Sequence, residues 1–180
     1  LNNVIIQDEL KYIDRIIDIE LDKIKGYIAI VKKDTIVKTF NIVCPDAGAG
    51  KRVGKIVQHL STKFINCQFN LIRCEKVRNV KDGKLEGFFV QSEKLGGHPT
   101  IICDDFNSMG GTFIGLGVEL RKKNCGQLML FTAHSDCEAG ILNVCKHFDA
   151  VFTTNSKKTY GSHAVGDGTL GSFTEFEFNI

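Results

Sequence analysis

PTIICDDFNSMGGTFIGLGVELRKKN, residues 99–124, passes from an apolar run into two adjacent acids, a short polar turn, two glycines and a helix-like stretch. The apolar start reads as a buried strand. Phe113, Leu116 and Leu120 share one face of the helix expected after Gly111. Strand, glycine turn and helix together form the repeating unit of a parallel sheet. Asp104 and Asp105 repel each other at the strand end, so something must compensate them. Glycines let the backbone approach a ligand closely, and the free N–H groups of a helix start bind phosphate. Two carboxylates just upstream can accept hydrogen bonds from hydroxyls or hold a hydrated Mg²⁺. A phosphate held by amides beside a diol held by acids describes a sugar phosphate. A plain strand–turn–helix with an Asp-Asp turn and a glycine cap fits the same residues, and residue types alone leave both readings open.

The rest of the chain follows the same alternation. Residues 5–23 place Leu10, Ile13, Ile16, Ile17 and Leu21 at helical spacing, and Gly26 ends that stretch. Residues 27–32 and 36–44 read as strands, the second running into PDAGAGKR. A helix is expected from Arg52 to Phe64, with Val53, Ile56, Val57 and Leu60 on one face. Residues 68–73 read as a short strand. The charged stretch 74–86, with Asp82-Gly83, reads as an exposed loop or hairpin. Strands at 86–91, 100–103, 127–132 and 149–153 and a helix near 138–147 complete the core. Residues 160–172 are rich in Gly and Ser, and FTEFEFNI alternates like an edge strand. The fold class is α/β: a mostly parallel sheet with helices on both faces. Ligands of such sheets bind at the C-terminal strand ends. Both glycine-bearing loops, 45–51 and 104–112, fall there.

Length and composition narrow the function. Residues 1–180 suit a single domain with a substantial core. Lys and Arg number 23 against 21 Asp and Glu, a net charge of +2. That balance argues against a dedicated nucleic-acid binder. No apolar run approaches the roughly 20 residues of a membrane span, and the start lacks a signal-peptide layout. The seven cysteines are scattered without a CxxC pair, which reads as reduced, buried thiols of a cytoplasmic protein without zinc. Leu1 in place of Met leaves open a processed product or part of a longer chain.

ICDDFNSMGGT, residues 102–112, resembles the ribose-5-phosphate loop of the type I phosphoribosyltransferase fold. NIVCPDAGAGKRV, residues 41–53, resembles the pyrophosphate loop of ribose-phosphate diphosphokinases, the phosphoribosyl pyrophosphate (PRPP) synthetases. EKVRN, at 75–79, is similar to that family's catalytic flexible loop, and FTAHSDCEAG and DAVFTTNS are similar to its next two strand ends. These segments stand in the family's order over about residues 41–156.

The resemblance implies a role for each segment. Asp104, Asp105, Ser108, Met109, Gly110, Gly111 and Thr112 would bind ribose 5-phosphate. Asp46, Ala47, Gly48, Ala49 and Arg52 would bind the transferred diphosphate, with Asp46 holding Mg²⁺ directly or through water. Arg52 could contact the anionic ligand or simply pair with an acid on the first helical turn. Lys76 and Arg78, two apart and so on one side of an extended segment, would be the catalytic cations of a mobile loop. His134, and Thr153, Thr154, Asn155 and Ser156, lie at further strand ends with either structural or pocket-lining roles. Ser108 stands where the family has an acid and Met109 where it has a threonine.

The implied reaction transfers the β,γ-diphosphoryl group of ATP to the 1-hydroxyl of ribose 5-phosphate, giving PRPP and AMP. The resemblance is mainly to the second domain of a two-domain, homo-oligomeric synthetase. The first, absent from this chain, supplies part of the ATP site. The alternatives are a PRPP-dependent phosphoribosyltransferase acting on a nitrogenous base and a non-catalytic PRPP-synthetase-like module.

Overall fold

The computed structural model describes residues 2–25, 35–157, 159, 160 and 171–177, with side chains from Glu9 onward. The strand expected at 27–32 and most of the Gly/Ser-rich tail lie outside the described residues. The elements in chain order are α1 (Asn2–Asp22), β1 (Lys38–Cys44), a 3-10 turn (Ala47–Ala49), α2 (Gly50–Lys63), β2 (Cys67–Arg78), β3 (Leu85–Val90), β4 (Thr100–Asn107), α3 (Gly111–Lys122), β5 (Leu128–Ser135), α4 (Glu138–Cys145), β6 (Ala150–Thr154) and β7 (Ser172–Phe176).

These strands form one seven-stranded sheet in the order β3-β2-β1-β4-β5-β6-β7. All neighbours are parallel except β2 and β3, which form an antiparallel hairpin. The order reverses direction between β1 and β4. Loops leaving such a switch point diverge to opposite faces and open a crevice at the C-terminal strand ends.

Side-chain alternation on β5 shows why both faces are covered. Met129 and Phe131 join one buried cluster with Ile13, Ile16 and Ile17 of α1 and Val53, Ile56 and Leu60 of α2. Leu128 and Leu130 join the other with Phe113, Leu116 and Leu120 of α3 and Ile141 and Val144 of α4. Residues of a strand point alternately to its two sides, so an unbroken apolar run needs a helical layer on each. Each such side chain contributes about 1.5–3 kcal/mol of burial. The acids of α1 add cross-helix pairing: Asp14 takes Lys63 at 2.7 Å and His59 at 2.9 Å, both from α2.

The structure refines the sequence reading in three places. β4 runs to Asn107 because β5 supports it four residues beyond Cys103, with Asn107 in register with Ser135. The acidic pair therefore lies within a strand, and the turn shortens to Ser108–Gly110. The stretch expected to be a loop or hairpin is a hairpin: β2 extends to Arg78 and turns at 79–84 into β3. β7 carries Phe173 and Phe176 into opposite clusters, so this edge strand is covered on both faces. Tyr12 and Phe152 stack on Phe176 at centroid distances of 5.2 and 5.9 Å. No described helix is long and apolar enough to cross a membrane. All seven cysteines are free.

Candidate active site

The turns that follow Cys44 and Cys103 leave adjacent strands, since Val43 of β1 pairs with Ile102 of β4. At the second of them opens a cleft of about 410 Å³, lined by Lys76, Asp104 and Phe106 through Phe113; Asp46, Ala47, Gly48, Ala49, Arg52, Arg78 and Asp105 do not line it.

The floor of the cleft is the turn Ser108–Gly110 and the start of α3. Gly110 has φ +80° and ψ −7°, a left-handed conformation that a side chain would strain, and a Cβ there would meet Val144 Cγ1 at 2.5 Å. Helix α4 holds the turn from behind. A Cβ on Gly140 would stand 1.5 Å from Ser108 O, so only glycine allows this contact. Met109 O accepts from Asn143 Nδ2 at 3.5 Å, and Gly110 O accepts from Ile114 N–H at 3.0 Å. The Met109 and Gly110 carbonyls are thus engaged by α4 and by α3 itself. The N–H groups of Gly111, Thr112 and Phe113 precede the first intrahelical bond and are the helix's unclaimed donors. Together with the positive end of the helix dipole they suit an anion.

Asp104 and Asp105 are compensated unequally. Asp105 is exposed. Asp104 Oδ1 accepts from Arg52 Nη2 of α2 at 2.8 Å and from the Asp105 N–H at 2.9 Å. Burial nevertheless pushes the Asp104 carboxyl up to about 6, with the Asp105 N–H and the Arg52 charge opposing and the charges of Asp105 and Asp46 assisting. Arg52 also reaches Cys103 O at 3.4 Å and, through Nη1, Glu9 Oε1 at 3.3 Å. Glu9 is buried, its Oε2 has no partner among the described residues, and burial raises its carboxyl as well. Arg52 therefore pairs with acids from two other elements and bridges α1 to the cleft.

Asp46 caps the 3-10 turn by accepting from Ala49 N–H at 3.2 Å. Its other oxygen, Oδ2, takes Lys76 Nζ at 2.9 Å. The Lys76 hydrogen bond holds the Asp46 carboxyl below the usual carboxylate range, against some desolvation. Ala47 and Gly48 are exposed beside it and Ala49 is buried. Lys76 and Arg78 do not share a direction as their spacing suggests. A register shift between Val77 and Arg78 turns Arg78 away, and it donates to Gly83 O at 3.2 Å inside the hairpin turn. His134 hydrogen-bonds Ser156 through Nδ1, and burial lowers its pKa. Thr153 and Thr154 are buried in hydroxyl contacts with Thr132, Ser135 and Ala133 O. None of these four residues lines the cleft.

Among the described residues no group of three His, Cys, Asp or Glu side chains could hold a metal ion. Mg²⁺ needs no such cage. It commonly takes one or two carboxylates, waters and substrate phosphates. Asp46, partly exposed at the switch point, suits that mode.

Sequence reasoning passed over Glu9, Asn107, Gly140 and Asn143. Asn107 alone carried a signal, being a polar residue in the turn expected after the acids. The other three act across the fold.

No protein-family model and no curated protein sequence matches the chain. Among solved structures, phosphoribosylpyrophosphate synthetase from Mycobacterium smegmatis matches over 84% of this chain with a TM-score of 0.51 at 18% identity. The fold is type I phosphoribosyltransferase-like. The chain spans 44% of that synthetase's length. Hypoxanthine phosphoribosyltransferases from Trypanosoma cruzi and Staphylococcus aureus are looser matches, with TM-scores of 0.45 and 0.41 at 11% and 9% identity. Each of those two covers 97% of this chain and 73% of its own.

Proposed function

We propose that the chain is the catalytic part of a ribose-phosphate diphosphokinase, binding ribose 5-phosphate in the cleft and transferring the β,γ-diphosphoryl group of ATP to its 1-hydroxyl. One observation carries the reading: Lys76 lines the cleft that holds Asp104 and the 108–112 turn while its ammonium contacts Asp46. A cation, a carboxylate suited to a phosphate-bound metal, and an anion cradle thus meet at one switch point.

In this reading the amides at 110–112 and the Ser108 hydroxyl hold the 5-phosphate. Asp104 and Asp105 accept from the ribose hydroxyls. The exposed Ala47–Gly48 backbone lies along the diphosphate. The 1-hydroxyl oxygen attacks the β-phosphorus, the bond from that phosphorus to the α,β-bridging oxygen breaks, AMP leaves, and the hydroxyl proton passes to water. Charge then spreads over the phosphate oxygens, and Lys76 is placed to stabilise it. Arg78 is assigned the second cation, delivered when the hairpin folds over the nucleotide. Asp46 would hold Mg²⁺, which when bound screens the phosphate charge from the incoming oxygen. The adenine falls to a neighbouring domain or subunit, in keeping with the 44% coverage of the synthetase. The free thiols suit a cytoplasmic setting.

The test is incubation with ATP, Mg²⁺ and ribose 5-phosphate, followed by detection of AMP. AMP that appears with wild type and is lost in Lys76→Ala supports the reading. A thermal shift with PRPP, none with ribose 5-phosphate and no AMP replaces it with a PRPP-consuming transferase or a non-catalytic module.

A further inference from the structure

Asn107 ends β4 beneath the glycine turn. Its side chain is 1% exposed, yet neither Nδ2 nor Oδ1 has a hydrogen-bond partner among the described residues. Buried carboxamides are almost always paired. The neighbouring buried hydroxyls are: Thr132, Ser135 and Thr153 contact one another, and Thr154 donates to Ala133 O. Asn107 stands in register with Ser135 and takes no part in that network. Its Oδ1 lies 3.8 Å from where a Cβ of Gly110 would stand, so the carboxamide sits directly under the turn.

We propose that Asn107 is a positioning residue of the phosphate-binding turn, its carboxamide receiving the Met109 carbonyl when the Gly110 N–H turns to a bound phosphate. This rests on the reading of the cleft as a sugar-phosphate site. The coupling follows from peptide geometry. The Met109 C=O and the Gly110 N–H belong to one planar trans unit and point in opposite directions. The carbonyl faces α4 through Asn143, so the Gly110 N–H faces away from α4, and drawing that N–H to an anion tilts the carbonyl from Asn143 toward Asn107 Nδ2. The bond the carbonyl gives up, to Asn143, is long at 3.5 Å. Gly110, already at φ +80°, has no side chain to resist the rotation. The buried donor thus destabilises the ligand-free turn and is satisfied in the occupied one.

The experiment compares wild type with Asn107→Leu, which is close in size, and Asn107→Val, which suits a strand. Thermal stability is measured without ligand, and calorimetric titration is run separately with inorganic phosphate and ribose 5-phosphate. The expected result is a higher melting temperature in the free protein together with affinity for both probes lowered about tenfold, the loss of one hydrogen bond. A lower melting temperature in both variants shows that the carboxamide is already satisfied and overturns the proposal. A higher melting temperature with affinities within about twofold of wild type overturns it too. Wild type that binds inorganic phosphate but not ribose 5-phosphate overturns the sugar-phosphate reading and leaves Asn107 to be judged on the phosphate arm. Binding of neither overturns both.

Discussion

Lys76 Nζ stands 2.9 Å from Asp46 Oδ2, joining the strand that enters the hairpin to the turn that follows β1. Both side chains are partly exposed, at 25% and 33%. A pair of this kind adds under about 1 kcal/mol to stability. Its value lies in holding an ammonium at the switch point.

Lys76→Ala is therefore expected to lower AMP formation on the order of 10²- to 10³-fold with little change in urea stability. In the variant the Asp46 carboxyl rises back toward its ordinary value of 3.8, readable by NMR titration. The stabilisation it loses is the kind present above that pH and removed as pH falls through the lowered folded value. An unchanged turnover would remove Lys76 from the chemistry.

Asp104 carries the opposite dependence. Its folded pKa of about 6 lies above its ordinary 3.8. Its contribution to stability is present below about pH 4 and lost as pH rises through about 6. Asp104→Asn should flatten the stability profile across that window. Ribose 5-phosphate binding should run the other way, since hydroxyls need the carboxylate as acceptor. Wild type is expected to bind more tightly at pH 7.5 than at pH 5, and Asp104→Asn to lose most of that difference. Calorimetry at the two pH values checks it, with inorganic phosphate as the control for phosphate's own titration.

Arg52 is the counter-charge for two carboxylates of which the side chains are 5% and 19% exposed. Arg52→Ala leaves both uncompensated. The expected cost is about 3 kcal/mol at pH 7.5, smaller at pH 5, where both acids more readily take protons. Urea unfolding at the two pH values measures it. A pH-independent loss would mean that packing, not charge, dominates at this position.

Two glycines are expected to respond to a single methyl. Gly140→Ala drives a Cβ into Ser108 O and should displace the turn, lowering phosphate affinity at least tenfold. Gly110→Ala meets Val144 and a left-handed backbone, with an expected loss of about 1–3 kcal/mol. Gly54→Ala on α2, with nothing within 4 Å of the new Cβ, should instead stabilise by roughly 0.5–1 kcal/mol. Thermal melts and phosphate titration of the three variants separate these outcomes.

Much of the fold was legible because it is written locally. The apolar spacing of Ile13, Ile16 and Ile17, and of Phe113, Leu116 and Leu120, predicts two helices and their inner faces. The glycine turns after Cys44 and Cys103 announce where a ligand could approach. The strand limits were less legible. β4 persists to Asn107 only because β5 lies alongside it, and Lys76 and Arg78 part company only because β3 pairs with β2 through an irregular register.

The sequence by itself determined the alternation of elements, the buried helix faces and the two glycine turns, since periodicity and turn chemistry act over a few neighbouring residues. Only the tertiary structure decided which charged groups meet at and around the cleft. Lys76 meets Asp46 across 30 positions, and Arg52 meets Glu9 across 43 and Asp104 across 52. Those meetings, and the unpaired carboxamide of Asn107, depend on strand order, register and the approach of α1 and α4. Burial and pairing are properties of what the whole chain brings to a point, which local spacing does not encode.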